Sequence, residues 1–245
     1  MLFKGGVFMV NYEVAFKKPF TDVSKLIIGI LLSIVPIVQW IAFGFILECS
    51  GVGKAKESKD MPEWDNWGKF FTNGLLATSI QVIYFIPAIV VIVIGAGTMI
   101  IGMLSVLFGG VPSQMMQGMM ANDPAAHAAF ADFARNNWPA LMPWILTFLP
   151  FLIVGLILAL IAAYITPIAI LNFYKSEKFS DGFALGAISK KAFTSNYFAV
   201  WLVVMVIALV ASMILGWIPW IGRAIIYFTV GVFSYTMYGQ VYKMK

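Results

Sequence analysis

Two stretches of this sequence, residues 74–110 and 140–174, contain no charged residue and run well past the ~20 apolar residues that carry an α-helix across a hydrocarbon core. Backbone in lipid has to satisfy its own hydrogen bonds, so runs of this kind are helices. The whole chain is 61% hydrophobic and 11% charged, whereas a soluble domain carries roughly 25% charged residues. Its mean hydropathy is +0.91. That much apolar surface cannot be hidden in one soluble core, and the reading is an all-α, polytopic helical membrane protein with about six membrane segments.

The short pattern Lys-x-Phe-Thr stands where apolar runs begin, at Lys18-Pro-Phe-Thr21, Lys69-Phe-Phe-Thr72 and Lys191-Ala-Phe-Thr194. Each copy supplies a cation that can snorkel, an interfacial aromatic and a Thr able to cap the next helix. Lys18, Phe20, Lys69, Phe71, Lys191 and Phe193 are therefore expected to anchor the chain at the membrane interface, together with Trp64, Trp67, Trp217 and Trp220. The second copy closes a charged stretch in which Asp60, Pro62 and Glu63 read as the start of a capped helix. Trp64, Trp67 and Phe71 then share one face, which predicts an interfacial helix over 60–73. A loop packed on its neighbours is the alternative.

The segmentation is one membrane domain over 1–245. After an N-terminal cytoplasmic segment, 1–19, comes a first hairpin, 20–57, turning near Pro36. One kinked span is the other reading of 20–57, and its first arm, about 17 residues, is at the short limit for crossing. The remaining pieces are the interfacial helix 60–73, a span 74–110, an outer loop 111–139, a span 140–174, a second interfacial helix 175–193 and a last hairpin 194–242. Asp123-Pro124 opens a short helix inside the outer loop. Pro87, Pro143, Pro150 and Pro167 leave open whether each central run is one broken span or two. The hairpins at 20–57 and 194–242 also share an Ile/Val-Pro turn with Trp nearby, which raises internal duplication without establishing it.

Charge gives the direction. The net charge is +5, but the Lys residues flank apolar runs instead of forming one basic face, so a nucleic-acid partner is not expected. Only Arg135 and Arg223 are Arg; both fall on one proposed side and every Lys on the other. The positive-inside rule puts the Lys side, with both termini, in the cytoplasm of a multi-pass cell-membrane protein. No apolar segment with a small-residue cleavage site follows Met1, so the first apolar run is expected to act as an uncleaved signal.

Several segments together resemble a known family: Met9-Val-Asn-Tyr-Glu13, Lys18-Pro-Phe-Thr-Asp22, Gly44, Met61-Pro-Glu-Trp-Asp-Asn-Trp67, Gly74-Leu and Tyr238-Gly-Gln-Val-Tyr242. The chain resembles the prokaryotic, mainly archaeal, integral-membrane family called domain of unknown function 4013. The likeness covers most of the sequence, with Pro-Glu-Trp-Asp-x-Trp its most specific part and Met61 standing where Leu is expected. It implies a membrane protein and brings no activity or catalytic residue with it.

Chemistry-bearing groups are sparse. One Cys, Cys49, and one His, His127, make neither an internal disulfide nor a Cys/His metal set. No nucleophilic triad, phosphate-cradling Gly loop or ligand spacing can be assembled, so neither catalysis nor a cofactor is expected. Glu48 and Arg223 are the ionisable groups near membrane depth, and Gln39 and Gln81 the polar ones singled out with them. Snorkelling and interhelical hydrogen bonding explain all four without a substrate path. Asn172 and Gln240 read the same way. Met115, Met116, Met119 and Met120 offer thioethers suited to copper, and an apolar face explains them more simply. The functional expectation is a structural or interaction module in the lipid bilayer, either homo-oligomeric or bound to a membrane-protein partner. A small-solute permease or channel subunit is the competing reading.

Overall fold

The long apolar runs fold as helices in the computed structural model, which describes residues 10–53, 59–109, 111–136 and 138–244. The α-helices among them are α1 (Tyr12–Lys17), α2 (Val23–Ile34), α3 (Gln39–Cys49), α4 (Trp67–Gly109), α5 (Ser113–Met120), α6 (Pro124–Asn136), α7 (Trp138–Ser176), α8 (Leu185–Ala192), α9 (Ser195–Leu215) and α10 (Ile221–Lys243). Lys18–Phe20 and Phe179–Phe183 are 3-10 turns, and the described residues include no strand. The chain divides into two units, residues 1–84 with 162–245, and residues 85–161.

Three helices, α4, α7 and α9, are long and apolar enough to cross a membrane. Only 11% of the most apolar stretch of α4, 11% of that of α7 and 17% of that of α9 is buried within the chain. Ile94 and Ile101 of α4, Ile153 and Leu160 of α7, and Val206 and Met213 of α9 all lie exposed. Helices apolar on every side and uncovered to this extent are consistent with a membrane protein. Pro87 in α4 and Pro143, Pro150 and Pro167 in α7 do not end their helices. Each central run is thus one continuous helix, of 43 and 39 residues.

In the first unit α10 is the hub, packed against α9, α2, α3 and α1. It is the apolar helix with the richest mix of Gly, Ser, Thr and Tyr, and most of its second half is buried. Small residues let neighbouring backbones come close where lipid supplies no hydrophobic drive between helices. Asn11 and Gln240 exchange hydrogen bonds, Asn11 N to Gln240 Oε1 at 2.6 Å and Gln240 Nε2 to Asn11 O at 3.3 Å. These bonds bring both ends of the described chain to the same end of this unit.

Of the segment 20–57, the described residues 20–53 form a hairpin of α2 and α3, and 54–57 lie outside the described residues. The Asp22 carboxylate accepts from Lys25 N at 3.1 Å and caps α2, and Lys18 Nζ donates to the Cys49 carbonyl at 2.8 Å, so the chain returns to where it started. Val35 is extended, the conformation favoured before proline. Ile37 takes φ 72°, and Val38 N donates to the Pro36 carbonyl at 2.8 Å. The α9–α10 turn repeats this: Trp220 has φ 61° and ψ −61°, and Ile221 N donates to the Pro219 carbonyl at 2.6 Å. Both have the i to i+2 hydrogen bond and positive central φ of the rarer, strained γ-turn. The arms differ in length, 12 and 11 residues against 21 and 23. At ~1.5 Å per residue α2 and α3 reach about 17 Å, well short of a ~30 Å hydrocarbon core. Ile37→Gly removes the strain of a β-branched residue at positive φ and adds unfolded-state freedom, for an expected net gain of about 0.5 kcal/mol. Thermal unfolding of the purified protein measures it.

The expected helix over 60–73 does not form as such. Residues 59–66 are non-helical and Trp67 opens α4. Asn66, not Asp60, caps the helix, accepting from Lys69 N at 3.1 Å. Of the three Thr expected to cap, Thr194 accepts from Tyr197 N at 3.3 Å. Thr21 yields to Asp22, and Thr72 sits inside α4, donating to the Gly68 carbonyl at 2.9 Å. The segment 175–193 holds the end of α7, a 3-10 turn and α8, with Ile188 and Ala192 buried.

In the second unit α4 and α7 are in contact, with Trp144 and Phe151 of α7 seated over Gly102 and Gly95 of α4. The stretch 111–139 contains α5 and α6, and the Asp123 carboxylate accepts from Ala125 N at 2.9 Å to open α6. Met116, Met119 and Met120 line an apolar hollow of about 270 Å³ with Phe108, Val111 and Phe130.

Candidate functional site

The charged stretch at 59–72 reaches in two directions, and this division builds the site. Its apolar side turns inward. Trp64 stacks on Phe45 with ring centroids 3.8 Å apart, on Trp67 at 5.4 Å, and lies within 5.9 Å of Phe70 and 6.3 Å of Phe228. Met61 and Phe70 are buried beside it. The Trp64 indole N–H is buried with no hydrogen-bond partner among the described residues.

The polar side faces other chain segments of the first unit. Glu63 pairs with Lys25 at 2.6 Å, and Lys25 also lies 3.6 Å from Asp22. Lys69 pairs with Glu48 at 3.0 Å, and the Tyr174 hydroxyl donates to the same carboxylate oxygen. Around these groups lies a cavity of about 430 Å³ lined by Lys18, Glu48, Asp60, Met61, Pro62, Glu63, Asp65, Asn66, Lys69 and Phe70. Four carboxylates face two ammonium groups, so the cavity favours a cation. Its apolar lining, Met61 and Phe70, belongs to the aromatic core.

Glu48 is the residue on which the arrangement turns. Its side chain is 17% exposed and that of Lys69 33%, so the pair is partly desolvated and breaking it costs more than breaking a surface pair. Glu48→Gln keeps an acceptor for Tyr174 and removes the charge that holds Lys69. The expected loss is about 1–2 kcal/mol, discounted for the exposure of both partners. Adding Lys69→Met should recover part of it, and additive losses in thermal unfolding would show that the two side chains do not act as a pair.

The other residues singled out by sequence are scattered. Lys18, expected at the surface as a snorkelling cation, is buried and tied to the end of α3. Trp64, expected on an interfacial face, is part of the core packing, while Trp67 is 43% exposed. Phe20, Phe193, Trp217 and Trp220 are exposed. Phe71 is half-buried with its ring edge on Trp40 at 5.7 Å. Lys191 donates to the Tyr242 carbonyl. Gln39 opens α3 half-buried, Gln81 is exposed on α4, and Arg223 is exposed in the first turn of α10. The cavity brings Lys18, Glu48 and Lys69 together and includes neither Gln39 nor Gln81. Sequence reasoning missed Tyr174 and Lys25, whose partners lie 126 and 38 residues away. No local pattern marks either.

The segments that carry the family resemblance meet in space: Asn11 with Gln240, Gly44 with Gly74, and Thr21 with Met61. Comparison with curated proteins and with solved structures returned no match. A family model described as a protein of unknown function, DUF4013, matches residues 27–220, most of the chain. The chain belongs to that family.

Proposed function

We propose that the chain is a multi-pass protein of the cytoplasmic membrane, with about six membrane segments and both termini in the cytoplasm, that works there as an interaction module. In this reading α4, α7 and α9 cross with α10, and α2 and α3 dip in from the Lys-rich face without crossing. The acid-lined cavity carries the reading. Its apolar lining is packed into the aromatic core, so it serves as a socket and not as a path. An excess of carboxylates suits a Lys or Arg side chain offered by a membrane-protein partner at the cytoplasmic surface. The competing permease reading draws on one observation, the presence of Glu48 in the cavity wall.

A photo-crosslinker placed at Asp65 of the full-length protein in native membranes tests the proposal. One discrete adduct, lost when Glu63→Gln and Asn66→Ala are introduced together, is the expected result. Adducts indifferent to those changes, or solute flux in proteoliposomes that falls with Glu48→Gln, would overturn it; the second outcome would favour the permease. Labelling of single cysteines placed between 111 and 136 from the cytoplasmic side would overturn the orientation.

A further inference from the structure

A second cavity, of about 350 Å³, lies in the same unit between the turn at 51–53 and the ends of α7, α8 and α10. Lys175, Lys191, Lys243 and Tyr242 line it. The Tyr242 side chain is fixed by its hydroxyl, which donates to Asn172 Oδ1 at 2.8 Å. Lys191 Nζ sits 4.4 Å from the centroid of the Tyr242 ring and Lys175 Nζ 5.8 Å from it. Two ammonium groups thus converge on one ring, and among the described residues neither has a carboxylate partner. Burial first, and the Lys175 charge second, hold Lys191 below the ordinary lysine range.

Lysines near helix ends often do no more than satisfy carbonyls. Lys191 does so with Tyr242, yet an ammonium has three donors and this contact uses one. The Lys175 ammonium makes no hydrogen bond among the described residues. We propose that this cavity is an anion site for a phosphate ester: the phosphate of an anionic phospholipid headgroup, or that of a soluble phosphate monoester. The ammonium groups of Lys175 and Lys191 supply point-charge contacts to phosphate oxygens, and basic pockets at the cytoplasmic ends of membrane helices hold such headgroups. The volume exceeds that of a bare phosphate, which leaves room for part of the group attached to it. The site is distinct from the acid-lined cavity and does not depend on what binds there.

The test uses the full-length protein, stripped of lipid in detergent, with binding followed by native mass spectrometry. Phosphatidylglycerol, phosphatidylcholine, glycerol 3-phosphate and inorganic phosphate are compared. Preference for phosphatidylglycerol over phosphatidylcholine, without competition by glycerol 3-phosphate, identifies a lipid headgroup. Binding of glycerol 3-phosphate that displaces phosphatidylglycerol identifies a soluble ester. In either case Lys175→Gln and Lys191→Gln should each weaken binding about fivefold, while Lys17→Gln, an exposed pair member elsewhere, leaves it unchanged. Equal binding of all four ligands, or a Lys175→Gln variant that behaves as Lys17→Gln does, would overturn the site. Lys175 is exposed and its replacement disturbs no packing, so that variant decides even if Lys191→Gln fails to fold.

Discussion

Gly44→Ala is expected to be the most damaging single-methyl change in the first unit, with Gly74→Ala beside it. The two glycines mark the place where α3 and α4 cross. A Cβ at Gly44 would stand 1.9 Å from the carbonyl oxygen of Phe70, and one at Gly74 would stand 1.8 Å from that of Trp40. Those neighbours are backbone within helices, so no rotamer change relieves the clash and the helices have to separate. The cost is expected at about 3 kcal/mol or more, the upper end for overpacking. Separation would also pull Phe70 and Phe45 from the core and pull Lys69 from Glu48. The one thiol of the chain, Cys49, is buried at the end of α3 and reports the event directly. Its reaction with a maleimide in detergent should begin at a clearly lower temperature in either variant. Gly68→Ala is the control, since an added methyl there meets nothing within 4 Å. Equal reactivity of the wild type and the Gly44→Ala protein would show that the crossing is looser than drawn here.

Trp64→Ala ranks next. Its ring lies among Phe45, Trp67, Phe70 and Phe228, and because Trp64 is half-buried its removal should cost about 2–3 kcal/mol, below the cost for a fully buried aromatic. Trp67→Ala should cost about 1 kcal/mol or less, because that ring is 43% exposed and rests on Trp64 alone among the described aromatics. Trp64→Phe separates packing from hydrogen bonding: it retains much of the stacking and deletes a buried N–H that has no partner among the described residues. Its stability should therefore stay near that of the wild type. The same Cys49 reaction ranks the three proteins. Equal losses for Trp64→Ala and Trp67→Ala would return both residues to the interfacial role that sequence suggested.

That pair of tryptophans shows where sequence reasoning stops. Spacing at i and i+3 puts Trp64 and Trp67 on one face if the segment is helical, and Asp60 with Glu63 gave reason to think it was. Whether it is helical depended on competition between caps. Asn66 caps α4 instead, and the extended backbone before it lets Trp64 swing onto Phe45, a partner on another helix. Lys18 tells the same story. Its place before an apolar run suggests a snorkelling cation, but the hairpin brings the end of α3 back to it and the Cys49 carbonyl takes its ammonium. The Lys-x-Phe-Thr pattern therefore stands just before α2 and α9 but inside the first turns of α4, and it was a poor guide to what each of its residues does. Glu48 was noticed for its depth alone; Lys69 and Tyr174, which give it a role, lie 21 and 126 residues along the chain.

By itself the sequence determined the class of the molecule, the places of the long helices and the turns that join its hairpins. These follow from local physics: apolar runs in lipid must be helical, proline fixes the residues around it, and caps act within a few positions. Tertiary structure alone decided that α10 is the hub and that Gly44 and Gly74 let two backbones touch. It also decided which charges share a cavity. Such contacts join residues far apart in the chain, and no periodicity or composition records which of the many possible pairings the packed helices adopt.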